Sequence, residues 1–190
     1  MKKVDVRKLA VTGVLVGIVL FLGLTPYGII PIGPANMSFL AVPIVIGTIV
    51  CGLPTGMLLG GMFGIISAWK AFSAPSALVV PLIDHPVLIL IMTVGARLLI
   101  PVAIWLVYRA MKKTGKLKTG IGLAAAAGSL TNTVFYLGLM LLSYVICGIN
   151  NAAVLSVVGG VGALNGSLEC IAAVVVCVPV VAALNKSRRS

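Results

Sequence analysis

Acidic side chains are nearly missing from this chain: Asp5, Asp84 and Glu169 stand against fourteen Lys and Arg, and His85 is its one histidine. Charged residues make up only 9% of the sequence, where soluble proteins carry roughly a quarter. That shortage, with 61% hydrophobic residues and a mean hydropathy of +1.23, excludes a soluble globular domain and places the chain in a membrane. The chemistry-bearing motifs are missing too. There is no GxxxxGK[ST] phosphate loop, HExxH, GxSxG or paired acidic motif, so the chain does not hydrolyse ATP by itself and is no enzyme. Glu169 and His85 are expected at different depths, too far apart for shared acid–base work. Cys51, Cys147, Cys170 and Cys177 lack CxxC spacing and a histidine partner, which leaves them as small packing residues, with no disulfide, metal or other cofactor expected.

What is present is a pattern of basic clusters between apolar runs. Lys2, Lys3, Arg7 and Lys8 open the chain; Arg109, Lys112, Lys113, Lys116 and Lys118 lie in its middle; Lys186, Arg188 and Arg189 close it. A net charge of +11 suggests nucleic acid in a soluble protein, but clusters that flank apolar segments follow the Lys/Arg bias of cytoplasmic loops. No nucleic-acid partner is expected. The opening Met-Lys-Lys resembles a signal peptide, yet no small-residue cleavage site precedes Thr25-Pro26-Tyr27, so the first span is expected to stay.

Apolar runs read against Gly and Pro breaks predict six helices: Val6 to Leu24, Ser38 to Gly52, Pro54 to Phe72, Pro86 to Met111, Gly120 to Cys147 and Val154 to Leu184. Since a span takes about 20 residues, residues 1–190 hold a single all-α domain, a compact bundle of six transmembrane helices in the plasma membrane. The second helix is short and is expected inside the bundle or across a thinned region. An even count puts both termini on one side, and the clusters make that side cytoplasmic; five or seven spans would split them across the membrane. The loops on the other side, Thr25 to Met37, Ser73 to His85 and Gly148 to Ala153, carry no Lys or Arg.

Small residues recur at four-residue spacing: Gly13 and Gly17, then Gly56, Gly60 and Gly64, then Gly162 and Gly166. In lipid, small residues let helix backbones approach closely. The glycines therefore pack inside the bundle or, for Gly13 and Gly17 on the first helix, offer a face to another membrane protein.

Ionisable groups inside spans are costly and face a cavity or one another. Arg97 lies about 12 residues into the fourth helix and Glu169 about 15 into the sixth, roughly 18 to 22 Å deep at 1.5 Å per residue, with Asn132 of the fifth at similar depth. Tyr136 follows Asn132 by four residues and Asn165 precedes Glu169 by four, so each pair shares a helix face. These groups would line an outward-opening cavity. Arg97 and Glu169 either neutralise one another as a buried pair or form the floor of the site. Pro101 cannot donate to the Arg97 carbonyl and is expected to kink the helix there. Lys70 either snorkels to the interface or draws an anion inward. Asp84 is expected to cap the fourth helix at its N-terminus, with Pro86 at its second position. Asn36 and Ser38, after the stiff loop Pro31-Ile32-Gly33-Pro34, cap the second helix or touch a ligand.

Six helices, a glycine-rich third span, and the stretches Phe39-Leu40-Ala41-Val42-Pro43-Ile44-Val45-Ile46-Gly47, Gly60-Gly61-Met62-Phe63-Gly64-Ile65-Ile66-Ser67, Leu130-Thr131-Asn132-Thr133 and Asn165 to Glu169 resemble the S components of energy-coupling factor (ECF) vitamin transporters. The likeness runs almost end to end and is strongest to the pantothenate and riboflavin group. One departure is Ala96, where that group usually carries Pro before the arginine. The resemblance implies substrate-binding residues among Asn36, Lys70, Arg97, Asn132, Tyr136, Asn165 and Glu169. It also implies docking of Gly13 and Gly17 on a transmembrane coupling subunit, with two cytoplasmic ATPase subunits behind it. Planar ring vitamins are commonly held between aromatic faces, which are scarce here, whereas Arg97 and Lys70 suit a carboxylate. Pantothenate is the favoured substrate, with riboflavin or another vitamin precursor as the alternative. An autonomous secondary transporter would show two related halves, and the sequence shows no such duplication.

Overall fold

A computed structural model describes residues 6–32, 35–76, 78–115, 117–149 and 152–186; within these, the side chains of 29–32, 35–37, 152–159, 161 and 163–165 fall outside the description. Lys2, Lys3, Asp5, Lys116, Arg188 and Arg189 lie outside the described residues.

The chain begins with α1 (Val6–Leu24), makes a 3₁₀ turn over Pro26–Gly28, and forms a hairpin of β1 (Ile29–Ile32) and β2 (Ala35–Ser38). This antiparallel pair, with Ile29 opposite Ser38, is an addition to the sequence reading, which had only a loop there. Then come α2 (Ala41–Val50), α3 (Leu53–Ser73), a 3₁₀ turn at Val80–Leu82, α4 (Pro86–Leu90), a π-helical turn at Ile91–Gly95, α5 (Ala96–Lys112), α6 (Leu117–Ile146) and α7 (Ala152–Lys186). Five stretches are long and apolar enough to cross a membrane: Val6–Leu24, Leu53–Ser73, Pro86–Lys112, Leu117–Ile146 and Gly166–Lys186.

α2 is ten residues long, about 15 Å at 1.5 Å per residue, half of a hydrocarbon core of about 30 Å. Its neighbours explain how so short a helix fits. Thr12 and Thr55 hydroxyls lie 3.4 Å apart, and eleven residues further along both helices a Cβ on Gly23 would meet the Ile66 side chain at 2.6 Å. α1 and α3 thus run parallel, so the chain must return between them. Hairpin and α2 share that return: the backbone of Ser38, at the end of β2, reaches Glu169 in the middle of α7. Ala41, Pro43, Ile44, Val45, Ile46, Gly47 and Thr48 of α2 are buried, the interior placement that its length suggested. Gly52, at φ 102, makes the left-handed link into α3 that a side chain would strain.

The glycines of α3 set the distance to the Arg97-bearing segment. A Cβ on Gly56 would lie 2.9 Å from Pro101, one on Gly60 2.8 Å from the Arg97 carbonyl oxygen, and one on Gly64 3.0 Å from the Cα of Val94. Gly162 and Gly166 abut Leu137 and Thr133 of α6 in the same way. The carbonyl left without a donor by Pro101 therefore faces Gly60, and the irregular turn sits before Arg97, at Ile91–Gly95. There Thr93 donates its hydroxyl to the Ile89 carbonyl at 2.7 Å. His85, not Asp84, occupies the N-cap position of α4, with no side-chain cap bond, and Pro86 is the first helical residue; the predicted Asp84 cap is corrected by one position.

Two apolar clusters result. The larger joins Ile44 and Leu59 with Ile100, Ile104, Ile121, Ala125, Cys177 and Val181. The smaller gathers Val79, Leu82, Ile89, Met92, Met140 and Tyr144. The Tyr144 hydroxyl donates to the Leu78 carbonyl and ties the segment after α3 to α6.

Candidate functional site

Between the two clusters lies a cavity of about 530 Å³. Its wall contains Arg97 of α5, Asn132 and Tyr136 of α6, Glu169 of α7, and Phe63, Ser67 and Lys70 of α3, while Ser38, Leu24 and the segment around Leu78 border it from the loops. Arg97, Asn132 and Glu169 are only 7%, 6% and 6% exposed. Three helices thus bring a guanidinium, an amide and a carboxylate to a common space.

Both oxygens of Glu169 are hydrogen-bonded within the protein. One carboxylate oxygen accepts the Ser38 backbone N–H at 2.7 Å, and the other accepts the Asn132 amide nitrogen at 3.3 Å. Those bonds latch the hairpin onto α6 and α7. A carboxylate accepts only, which fixes the Asn132 orientation: its nitrogen faces Glu169 and its oxygen is left over. That oxygen is buried without a partner.

Arg97 does not form the ion pair that the sequence allowed with Glu169: no N···O separation between them falls within 4.0 Å. Its guanidinium instead lies over two rings, 4.2 Å from the centroid of Tyr136 and 5.0 Å from that of Phe63. Cation–π contact of this kind stabilises a desolvated charge by about 2 kcal/mol, but it satisfies no N–H in the ring edge plane. Nε and Nη1 of Arg97 are buried with no acceptor. The cavity therefore holds unpaired donors on Arg97 and an unpaired acceptor on Asn132, in a space large enough for a small molecule. Buried polar groups are ordinarily satisfied, so such orphans mark a place where a partner binds.

Lys70 borders the cavity, half-buried at the C-terminal end of α3. Tyr136 contributes its ring to Arg97 as well as its place in the wall. Asn36 is on β2 and Asn165 on α7, and the side chains of both lie outside the described residues. Gly13 and Gly17 are remote from the cavity: a Cβ at either would meet nothing within 4 Å, so they do not pack within the bundle. Sequence reasoning missed Phe63 and the role of the Ser38 backbone. The glycines flanking Phe63 were the available signal, since they bring that ring against the Arg97 segment. Among the described residues no group of three or more His, Cys, Asp or Glu is placed to hold a metal ion.

Comparison with known proteins adds two findings. The family described as "ECF transporter, substrate-specific component" matches residues 7–181. The "Pantothenate transporter PanT" of Leuconostoc mesenteroides subsp. mesenteroides is 25% identical over 162 residues, which cover 82% of this chain and 78% of that protein.

Proposed function

The chain belongs to the substrate-specific components of ECF transporters, and from that premise we propose that it captures a small carboxylate-bearing vitamin, pantothenate by preference, from outside the cell. Membership makes it a multi-pass substrate-binding subunit of a transporter and not an enzyme. The observation that carries the substrate class is the buried Arg97 guanidinium with two nitrogens, Nε and Nη1, unpaired. A carboxylate supplies the missing acceptors and the missing charge at once. Asn132, through its free oxygen, accepts from a hydroxyl or amide N–H of the ligand; Tyr136 walls the pocket beside Arg97. Lys70 adds positive potential at the mouth, and Asn36, Asn165 and Glu169 complete the site, Glu169 chiefly by holding the hairpin over it. A planar flavin is disfavoured because Phe63 and Tyr136 already spend a face on the guanidinium.

The same reading gives residues 1–190 one six-pass domain, with the hairpin and α2 completing the sixth crossing between the parallel helices α1 and α3. Both termini and the cluster Arg109, Lys112, Lys113 and Lys118 then face the cytoplasm. Gly13 and Gly17, exposed on the least buried span, dock on the transmembrane coupling subunit, and two ATPase subunits drive delivery.

Binding of a vitamin panel to the purified full chain tests the substrate. Pantothenate is expected to bind tightly and to lose affinity in Arg97→Ala and Asn132→Ala; tight flavin binding that ignores both substitutions would overturn the assignment. For docking, Gly13→Leu with Gly17→Leu should stop cellular uptake while sparing binding to the isolated chain.

A further inference from the structure

Arg97 has two kinds of counter-group on one cavity wall, the Glu169 carboxylate and the faces of Phe63 and Tyr136, and it takes the rings. A direct ion pair would be the stronger bond in so dry a place. It would also close the site, because an incoming anion would have to break that pair and leave Glu169 buried and bare. Two features oppose the closure. Glu169 has both oxygens committed, to Ser38 and to Asn132. Arg97 lies over two rings, and one of these, Phe63, is 1% exposed. Gly60 and Gly64 bracket Phe63, and each sits against the backbone of the Arg97 segment, at the Arg97 carbonyl and at Val94. The sequence Gly60-Gly61-Met62-Phe63-Gly64 thus delivers one aromatic face to one guanidinium, at a close approach that only glycine at 60 and 64 allows.

We propose that Phe63 is a positioning residue that holds Arg97 off Glu169 and so keeps an anion site open in the empty protein. The proposal rests on the carboxylate reading above, and it predicts more than packing. Without the ring, the guanidinium swings to Glu169 and the protein neutralises its own site; without the ring and without the Glu169 charge, it has nowhere to swing.

The test measures binding of two probes to the full chain: pantothenate, and the neutral alcohol in which its carboxylate is replaced by CH₂OH. Phe63→Leu is expected to weaken pantothenate by about tenfold and to change the alcohol by less than about threefold, the size set by one desolvated cation–π contact. Adding Glu169→Gln to Phe63→Leu, which keeps an acceptor for the Ser38 N–H but removes the charge, is expected to restore most of the loss, a coupling that independent sites do not show. Phe63→Met, unbranched and about equal to Leu in volume, should behave as Phe63→Leu does. Equal losses for both probes in both single variants would make Phe63 a packing residue only and overturn the proposal, as would unchanged pantothenate binding or failure of Glu169→Gln to rescue. Arg97→Gln separates the premise: if pantothenate binds that variant as it binds the parent, the carboxylate reading fails and takes this proposal with it; if Arg97→Gln loses pantothenate while Phe63→Leu does not, only the proposal falls.

Discussion

The layer of Arg97, Asn132 and Glu169 divides the bundle into a solid half and a hollow half. On one side, α2, the first part of α3, the last part of α5, the first part of α6 and the last part of α7 fill their common space with Ile, Leu, Val and Ala. On the other, the last part of α3, the middle and last part of α6, and Gly162 and Glu169 of α7 border a cavity, which a small cluster pinned by Tyr144 and including Ile89 of α4 adjoins. The two halves differ in how far the glycines of α3 press on the neighbouring segments. In the solid half Gly56 presses on Thr48 and Pro101, and Gly128 on Ile104. In the hollow half the close approach of α3 to the Arg97 segment stops at Gly64, and although Gly162 still meets the Leu137 side chain, the helices part around the space between. The difference teaches that substitution in one half should cost folding, and in the other binding.

The largest effect should come from filling the solid half. In Gly56→Val the new Cβ would lie 2.2 Å from the Thr48 hydroxyl and 2.9 Å from the Pro101 ring. Thr48 is held by its bond to the Ile44 carbonyl at 2.6 Å, and the proline ring cannot rotate away. Overpacking of this kind costs about 1–3 kcal/mol, enough to lower the thermal midpoint in detergent by several degrees or to prevent stable expression. Pantothenate should protect whatever folded fraction remains, since the cavity lies on the other side of the layer. A folded, fully stable Gly56→Val protein would dissolve the distinction between the halves.

At the layer itself the two costs should take opposite signs. Arg97→Met removes a buried charge that lacks an acid partner, and such charges destabilise the empty protein by several kcal/mol. The variant is expected to melt higher than the parent without ligand, yet to bind pantothenate about 100-fold more weakly, because truncating a buried charge pair in a complex costs about 2–5 kcal/mol. Thermal shift in the presence and absence of pantothenate checks both. A midpoint that falls in the empty protein would mean that Arg97 stabilises the fold and is not held in reserve for a ligand.

The solid half was easier to read from the sequence than the hollow one. Apolar runs bounded by Gly and Pro fixed α1 at Val6–Leu24 and placed α3 to within a residue, because lipid demands a length and a composition that composition alone reveals. The glycine spacing announced close helix packing by α3, though not that the Arg97 segment is its partner. Arg97, Asn132 and Glu169 were found for the same reason, as polar groups at a depth where they need a cause. What stayed hidden depends on tertiary geometry. Arg97 lies over rings and not against the carboxylate, and one of those rings belongs to Phe63, which is on another helix and looks in the sequence like any core phenylalanine. The hairpin carries no strand signature beyond a Pro-Ile-Gly-Pro turn, and its bond to Glu169 runs through a backbone N–H that no residue type encodes. The π-helical turn needs an extra residue per turn, which Ile91 to Gly95 accommodate without advertising it.

The smallest effect belongs to the closure of the hollow half. Ser76, Leu78 and Val79 border the cavity, and Val79 and Leu82 bury themselves against Tyr144 and Met140. Tyr144→Phe keeps that ring and its packing and removes only the hydroxyl that donates to the Leu78 carbonyl. One such bond contributes about 1 kcal/mol net, and the carbonyl, near the mouth, can turn to water once the hydroxyl is gone. The segment then opens more often but closes onto the same surface. Pantothenate should leave the variant a few times faster, with the association rate rising in parallel and the equilibrium affinity moving by less than about threefold. Stopped-flow exchange resolves the two rates. If dissociation keeps its parental rate, the segment after α3 is a fixed wall of the site, and ligand enters elsewhere, past the hairpin that Glu169 holds.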